Sequence, residues 1–307
     1  MATAKEETTM LKTSILGKTG LEVTNLGFGA MELKDVLENG GRLPTENHAG
    51  DVLNAVLNSG INFIDTAWCY DRSEEFIGRF VSHRRDEYVL ATKCGHWWRN
   101  DPDHSGWSPE GMVNCIDQSL QRLKTDHVDI LQLHNATPDD VRTNDSINTL
   151  KEIQTQGKTR FIGISTVLPH IEEFIEMGIF DTFQIPYSAM EPEHEEVIRR
   201  AAEKGIGTII RGGVALGTPD LQSAAKRQTG VKVKSRWETA DLGSLAPEID
   251  SMEMMLRFTA SHPHIHSIIA GTQNLEHIAN NISTIQKGGL DGDLVRQIKD
   301  RVASIMD

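Results

Sequence analysis

The sequence predicts a (β/α)8 TIM barrel with an N-terminal β-hairpin and C-terminal closing helices. Three observations carry this expectation. Eight short β-rich runs, from LGFGA (26–30) to HSIIAG (266–271), alternate with longer segments of helical periodicity. No run leads through G-x-G-x-x-G into a helix, as the first strand of an open dinucleotide-binding sheet would. No composition break or linker divides the 307 residues, so a single domain over 1–307 is expected.

TSIL (13–16) and LEVTNL (21–26) flank Gly17-Lys18-Thr19-Gly20 and read as a hairpin. The remaining strand runs are INFID (61–65), YVLATK (88–93), VDILQLH (128–134), FIGIS (161–165), TFQIP (182–186) and GTIIR (207–211). HAGDVLNAVLNSG (48–60) and EPEHEEVIRRAAEKG (191–205) show helical spacing between them. Ser108-Pro109-Glu110 marks a helix start, with a serine cap, proline in the first turn and an acid at the positive end of the dipole; that helix is expected to end near Leu123. Residues near 33–47 and 213–246 are weakly periodic and read as loops over the barrel mouth. LEHIANNISTIQ and LVRQIKDRVASIM read as the two closing helices.

There are 44 acidic and 31 basic side chains, a formal charge of −13 that repels nucleic acid and anionic lipid. Three cysteines (Cys69, Cys94, Cys115) with no C-x-x-C pair suit reduced thiols, and the first residues lack the apolar core of a secretion signal. With no stretch of membrane-spanning length, the expectation is a cytoplasmic protein acting on a small molecule, without nucleic-acid or membrane partners.

In such a barrel the chemistry sits where strands end. Asp65 ends INFI, Lys93 ends YVLAT and His134 ends DILQL. Alone, Lys93 reads as a snorkelling side chain and His134 as a hydrogen-bonded core histidine. Together, with Tyr70 five positions after Asp65, they form a proton-delivery set. Hydride reduction of a carbonyl produces an alkoxide that needs a proton and nearby positive charge. A phenol is a weak acid near neutrality; an adjacent ammonium lowers its pKa, an aspartate fixes the ammonium and a histidine orients the carbonyl. Tyr70 is the expected donor.

Long ordered motifs then resemble the aldo-keto reductase family: LGKTGLEVTNLGFGAM, INFIDTAWCYDRSEEFIG, SLQRLKTDHVDILQLH, GKTRFIGIS and GTQNLEHIANNI, which together cover nearly the whole chain. The resemblance implies an NAD(P)H-dependent reductase of aldehydes or ketones, run in either direction, with alcohol or sugar oxidation as the reverse. It implies Tyr70 as general acid, Lys93 and Asp65 as its tuning pair and His134 as the group directing the carbonyl. It places Ser165 and Gln184 on the nicotinamide carboxamide, with Met31 and Asp65 near that half of the cofactor. Some members of the family serve as ion-channel subunits, so a cofactor-binding regulator with little turnover is the alternative.

Departures from the pattern bear on the cofactor. Ser165 is followed by Thr166 where the family commonly has asparagine, and Arg211-Gly212-Gly213 stands where an aromatic residue stacks on the nicotinamide. The Arg211 guanidinium can stack there, reach a phosphate, or face solvent at the strand end. Gly271, Thr272, Gln273, His277, Asn280 and Asn281 form the segment expected at the far end of the cofactor; without fixed cations it discriminates weakly for a 2′-phosphate. NADPH is the first expectation, with NADH admitted.

Trp68, Trp97 and Trp98 are expected to offer flat walls to a substrate, while Trp107 packs its loop. His262, His264 and His266 would share one face of an extended chain, but Pro263 interrupts them and no acid or cysteine joins, so no metal is expected.

Overall fold

The structure is a computed structural model that describes residues 10–33, 45–95, 106–214 and 228–306. Eight parallel strands close into a barrel: β3 (Leu26–Gly29), β4 (Phe63–Asp65), β5 (Val89–Cys94), β6 (Val128–His134), β7 (Thr159–Ser165), β8 (Thr182–Pro186), β9 (Gly207–Arg211) and β10 (Ser267–Ala270), with β10 pairing both β9 and β3. Every one of the eight β-rich runs supplies one barrel strand.

Alternation along the strands decides what faces inward. Phe63, Ala91, Ile130 and Ile209 fill the barrel interior and rest on Leu16, Leu21 and Val23 of the hairpin, whose strands are β1 (Thr13–Ile15) and β2 (Glu22–Thr24). The hairpin closes the floor. Gly17, at φ +56°, lies so close to β9 that a Cβ there would sit 2.4 Å from Gly207 N, and Lys18 N donates to Gly205 O at 2.9 Å. Any side chain at Gly17 would lift the floor off the barrel.

A second, larger core fills the space between barrel and helices, including Phe76, Ile116, Phe174, Phe183 and Phe258. Each such side chain contributes about 1.5–3 kcal/mol when fully buried. Among the helices are α1 (Glu46–Asn58), α2 (Ser73–Phe80), α3 (Pro109–Leu123), α4 (Pro138–Thr143), α5 (Ser146–Thr155), α6 (His170–Met177) and α7 (Glu195–Glu203). Ser108 caps α3 by accepting from Gly111 N at 3.1 Å, and Lys124 ends it in the left-handed region, as the Ser-Pro-Glu start and Leu123 end suggest. Thr137 and Asp140 form a reciprocal capping box on α4.

The stretch near 213–246 differs from expectation. Residues 215–227 lie outside the described residues, but α8 (Gln228–Ala240) is helical and Leu242–Leu245 adds a 3-10 turn. Its weak periodicity gives way to tertiary anchors. Val233 and Ala240 are fully buried, and Arg236 donates to Met190 O at 2.6 Å and to Glu193 Oε1 at 2.8 Å. Most of the other expected mouth loop, 34–44, also lies outside the described residues. After α9 (Ser251–Ala260), the closing helices are α10 (Leu275–Gln286) and α11 (Gly292–Ala303). No helix among the described residues is long and apolar enough to cross a membrane.

Candidate active site

The C-terminal ends of β4, β5 and β6 bring Asp65, Lys93 and His134 to one rim, and the turn after β4 brings Tyr70 over them. Lys93 Nζ donates to Asp65 Oδ2 at 2.5 Å and to Thr66 O at 2.9 Å. The same ammonium lies 5.0 Å from the centroid of the Tyr70 ring, and the Tyr70 and His134 rings meet edge to face at 5.9 Å. Asp65 and Lys93 are at most 2% exposed, so their charges act through little water.

Burial pushes Lys93 down, but the Asp65 carboxylate and then Tyr70 more than offset this and hold it above the ordinary lysine range. Burial pushes the Tyr70 phenol up and Lys93 pulls it back only in part. The lowering expected from the sequence is therefore outweighed by desolvation. Tyr70 stays protonated through neutral pH, the form a proton donor needs.

Asp65 is held from a second side. Its Oδ1 accepts from Gln184 Nε2 at 2.7 Å and from Gln132 Nε2 at 3.0 Å, while Ser165 Oγ donates to Gln184 Oε1 at 3.0 Å. Below the rim, the buried Glu74 accepts from Thr92 Oγ1 at 2.7 Å and lies 3.4 Å from Arg122 Nη1, which also donates to Trp68 O at 3.0 Å. Burial raises the Glu74 carboxyl above its ordinary range. Glu74 and Gln132 lie inside INFIDTAWCYDRSEEFIG and SLQRLKTDHVDILQLH, where the sequence alone assigns them no role. The signal for Gln132 was strand alternation, which puts it on the His134 face of β6.

The remaining expected residues fall into two groups. Thr166, buried after β7, donates its N–H to Gln184 O at 3.2 Å, and Arg211 ends β9 half-buried. Desolvation pushes the Arg211 guanidinium down, against Tyr70, Glu191 and Asp65, and its Nε is buried without a hydrogen-bond partner among the described residues. The second group lies where β10 turns into α10. Thr272 Oγ1 is 3.2 Å from His277 Nδ1, while His277, Asn280 and Asn281 lie along α10. Gln273 is a strap here: its side-chain amide donates to Glu32 O, in the turn that carries Met31, and its carbonyl is 2.6 Å from His48 Nε2. Gly271 backs onto the Gly29 carbonyl, 2.7 Å from where a Cβ would stand.

Trp68 leans on α3, its indole donating to Gln118 Oε1 at 3.0 Å with the Arg122 guanidinium 5.4 Å from its ring. Trp97 and Trp98 lie outside the described residues. Trp107 packs against Gly95, where an added Cβ would come within 2.3 Å of its ring. The three histidines do not line one face: a turn at Pro263-His264 sets His262 against Tyr187, and the His266 ring accepts from Thr208 N at 3.1 Å. No three His, Cys, Asp or Glu among the described residues are arranged to hold a metal ion.

A carboxylate, an ammonium, a phenol and an imidazole converge on one barrel rim, and the profile of the Aldo/keto reductase family matches residues 25–302. The chain belongs to the aldo/keto reductase family. Members of this family are oxidoreductases that act on carbonyls and alcohols with nicotinamide cofactors. The chain is 28% identical over 298 residues to the uncharacterized oxidoreductase YqkF of Bacillus subtilis, covering 92% of this chain and 94% of that protein. It is 25% identical to the NADH-specific methylglyoxal reductase of Escherichia coli, over 91% of this chain and 94% of that one. The holo structure of aldo-keto reductase AKR11C1 from Bacillus halodurans superposes with a TM-score of 0.79 at 26% identity, covering 95% of this chain and 96% of that one.

Proposed function

We propose that this aldo/keto reductase reduces aldehyde or ketone carbonyls to alcohols, and oxidises alcohols or sugars in reverse, with Tyr70 as general acid. The observation that carries the reading is the buried Lys93 ammonium, set between the Asp65 carboxylate at 2.5 Å and the Tyr70 ring at 5.0 Å. Tyr70 holds the proton for the carbonyl oxygen, Lys93 offsets charge left on the phenolate, Asp65 fixes Lys93, and His134 orients the carbonyl. When bound, the nicotinamide cofactor supplies the hydride.

The residues fit that cofactor. Ser165, at the end of β7, and Gln184, in register with it on β8, present a hydroxyl and an amide side by side, a donor and acceptor set matched to a carboxamide. Met31, Asp65, Thr166 and Arg211 border the same rim, and the partnerless Nε of Arg211 is a donor available to a bound group. Gly271, Thr272, Gln273, His277, Asn280 and Asn281 are proposed for the far end. NADPH is the first assignment on family habit. The absence of lysine and arginine among those six residues, together with a relative named as NADH-specific, keeps NADH open. Trp68, Trp97 and Trp98 are proposed as substrate walls, in a single cytoplasmic barrel domain spanning the chain.

The test is a panel of aldehydes and ketones offered with NADPH and with NADH, following loss of reduced-cofactor absorbance. Wild-type turnover is expected on part of the panel. Tyr70→Phe should lose on the order of 10²–10⁴ in kcat while keeping cofactor fluorescence quenching. Unchanged turnover in Tyr70→Phe removes Tyr70 as the acid. Tight cofactor binding with no turnover across the panel would favour the regulatory alternative.

A further inference from the structure

We infer that Gln132 is a positioning residue for the acid–base set, its side-chain N–H holding Asp65 so that Asp65 in turn holds Lys93 against Tyr70. The inference rests on the reading of Tyr70 as general acid.

Gln132 lies in the middle of β6, between Leu131 and Leu133, and is completely buried. Across the sheet it is in register with Lys93 on β5 and Gly163 on β7. From there its Nε2 reaches Asp65 Oδ1 at 3.0 Å, two strands away, while Lys93 takes Oδ2 of the same carboxylate. A carboxylate in this ion pair only accepts, so Asp65 dictates which end of the Gln132 amide faces it.

The other end of the amide gains nothing. Gln132 Oε1 is buried without a partner among the described residues, and so is Thr182 Oγ1, whose hydroxyl takes the place a side chain at Gly163 would need; a Cβ on Gly163 would fall 2.3 Å from that hydroxyl and 3.2 Å from Gln132 Cγ. A buried, unpaired amide oxygen destabilises a fold, and an apolar side chain of similar volume would fill the same place without that penalty. What Gln132 contributes is its bond to Asp65.

Gln184 also donates to Asp65 Oδ1, but it does so from the rim, next to Ser165. It is the amide proposed to take the nicotinamide carboxamide. Gln132 lies two residues below His134, away from that role. It is therefore the donor that can stay on Asp65 whether or not Gln184 is engaged. Without it, Oδ1 of the carboxylate depends on Gln184 alone, and once Gln184 turns to another partner Asp65 holds the ammonium beside the phenol less firmly.

The experiment is Gln132→Met, which keeps similar volume and removes the donor. Expected are a fall in kcat/KM on the order of ten- to a hundredfold, unchanged cofactor affinity by fluorescence quenching, and a Tm close to wild type, because the bond lost at Asp65 and the unpaired oxygen removed with it act in opposite directions. The Tyr70 phenol, followed by Cζ resonance in 13C-tyrosine-labelled protein and assigned with Tyr70→Phe, should ionise at higher pH than in wild type. The alkaline limb of kcat/KM should move with it. A Met variant with wild-type kcat/KM and an unmoved phenol overturns the inference. So does a variant that loses Tm together with activity, because Gln132 would then serve the fold. If the wild-type enzyme turns over no carbonyl, the proposed function fails on its own, and the phenol titration, which needs no turnover, still decides the role of Gln132.

Discussion

Lys93 and Asp65 form an ion pair whose side chains are 0% and 2% exposed, at the junction of two neighbouring barrel strands. Two charges so far from water are stable only while each has the other and further hydrogen bonds, which Thr66, Gln132 and Gln184 supply.

Lys93→Met should therefore damage both chemistry and fold. It leaves the Asp65 carboxylate buried without its cation, at a cost of about 3–5 kcal/mol. It also removes the ammonium beside the phenol, lowering kcat/KM on the order of 10²–10⁴. The double variant Asp65→Leu/Lys93→Met should regain most of the stability in urea titrations and none of the activity. Activity recovered in the double variant would show that the pair serves packing alone.

Asp129 gives a separate, purely structural prediction. Its carboxylate joins Arg85 at 2.7 Å, Arg160 at 2.6 Å and Leu90 N at 2.8 Å. Burial works to raise it, but Arg85, the Leu90 amide and Arg160 together hold it below the ordinary aspartate range. A carboxyl with a depressed folded pKa stabilises above its unfolded value and loses that contribution as pH falls through the folded value. Asp129→Asn should thus cost about 3 kcal/mol near pH 7, and the gap to wild type should start to narrow as pH falls below about 4 and go on narrowing towards the lower folded value. Urea midpoints from pH 3 to 7 measure it; a gap independent of pH would exclude the ionised carboxylate as the cause.

The thiols make a third case. Burial pushes Cys69 up to about 11 and Cys94 up to about 12, and raises Cys115 well beyond its usual range. At pH 8, Cys69 is then a thiolate in only about one molecule in a thousand, even though its Sγ is 3.4 Å from His134 Nδ1. Native protein should react with a disulfide reagent over hours, and urea-unfolded protein should expose three thiols within minutes. Rapid labelling of native Cys69 would mean that its surroundings stabilise the thiolate.

The barrel was legible because its strands are short, apolar and separated by segments of helical spacing, so that local chemistry and the overall alternation agree at Ser108 and the run VDILQLH. Asp65, Lys93 and His134 were legible as charged or polar endings of apolar strands. Gln132 was not, since an amide inside an apolar run takes its meaning from Asp65 two strands away. The α8 helix was hidden for a similar reason: its hold comes from Met190 and Glu193 rather than from its own pattern. The effect of burial on Tyr70 needed the packed rim, because residue types alone give the sign of the Lys93 influence and not the desolvation that outweighs it.

The hairpin floor has a consequence for traffic. With Leu16, Leu21 and Val23 packed under Phe63, Ala91, Ile130 and Ile209, the described floor is closed by side chains, so on the proposed function a substrate for Tyr70 has to come and go at the end where β4, β5 and β6 finish.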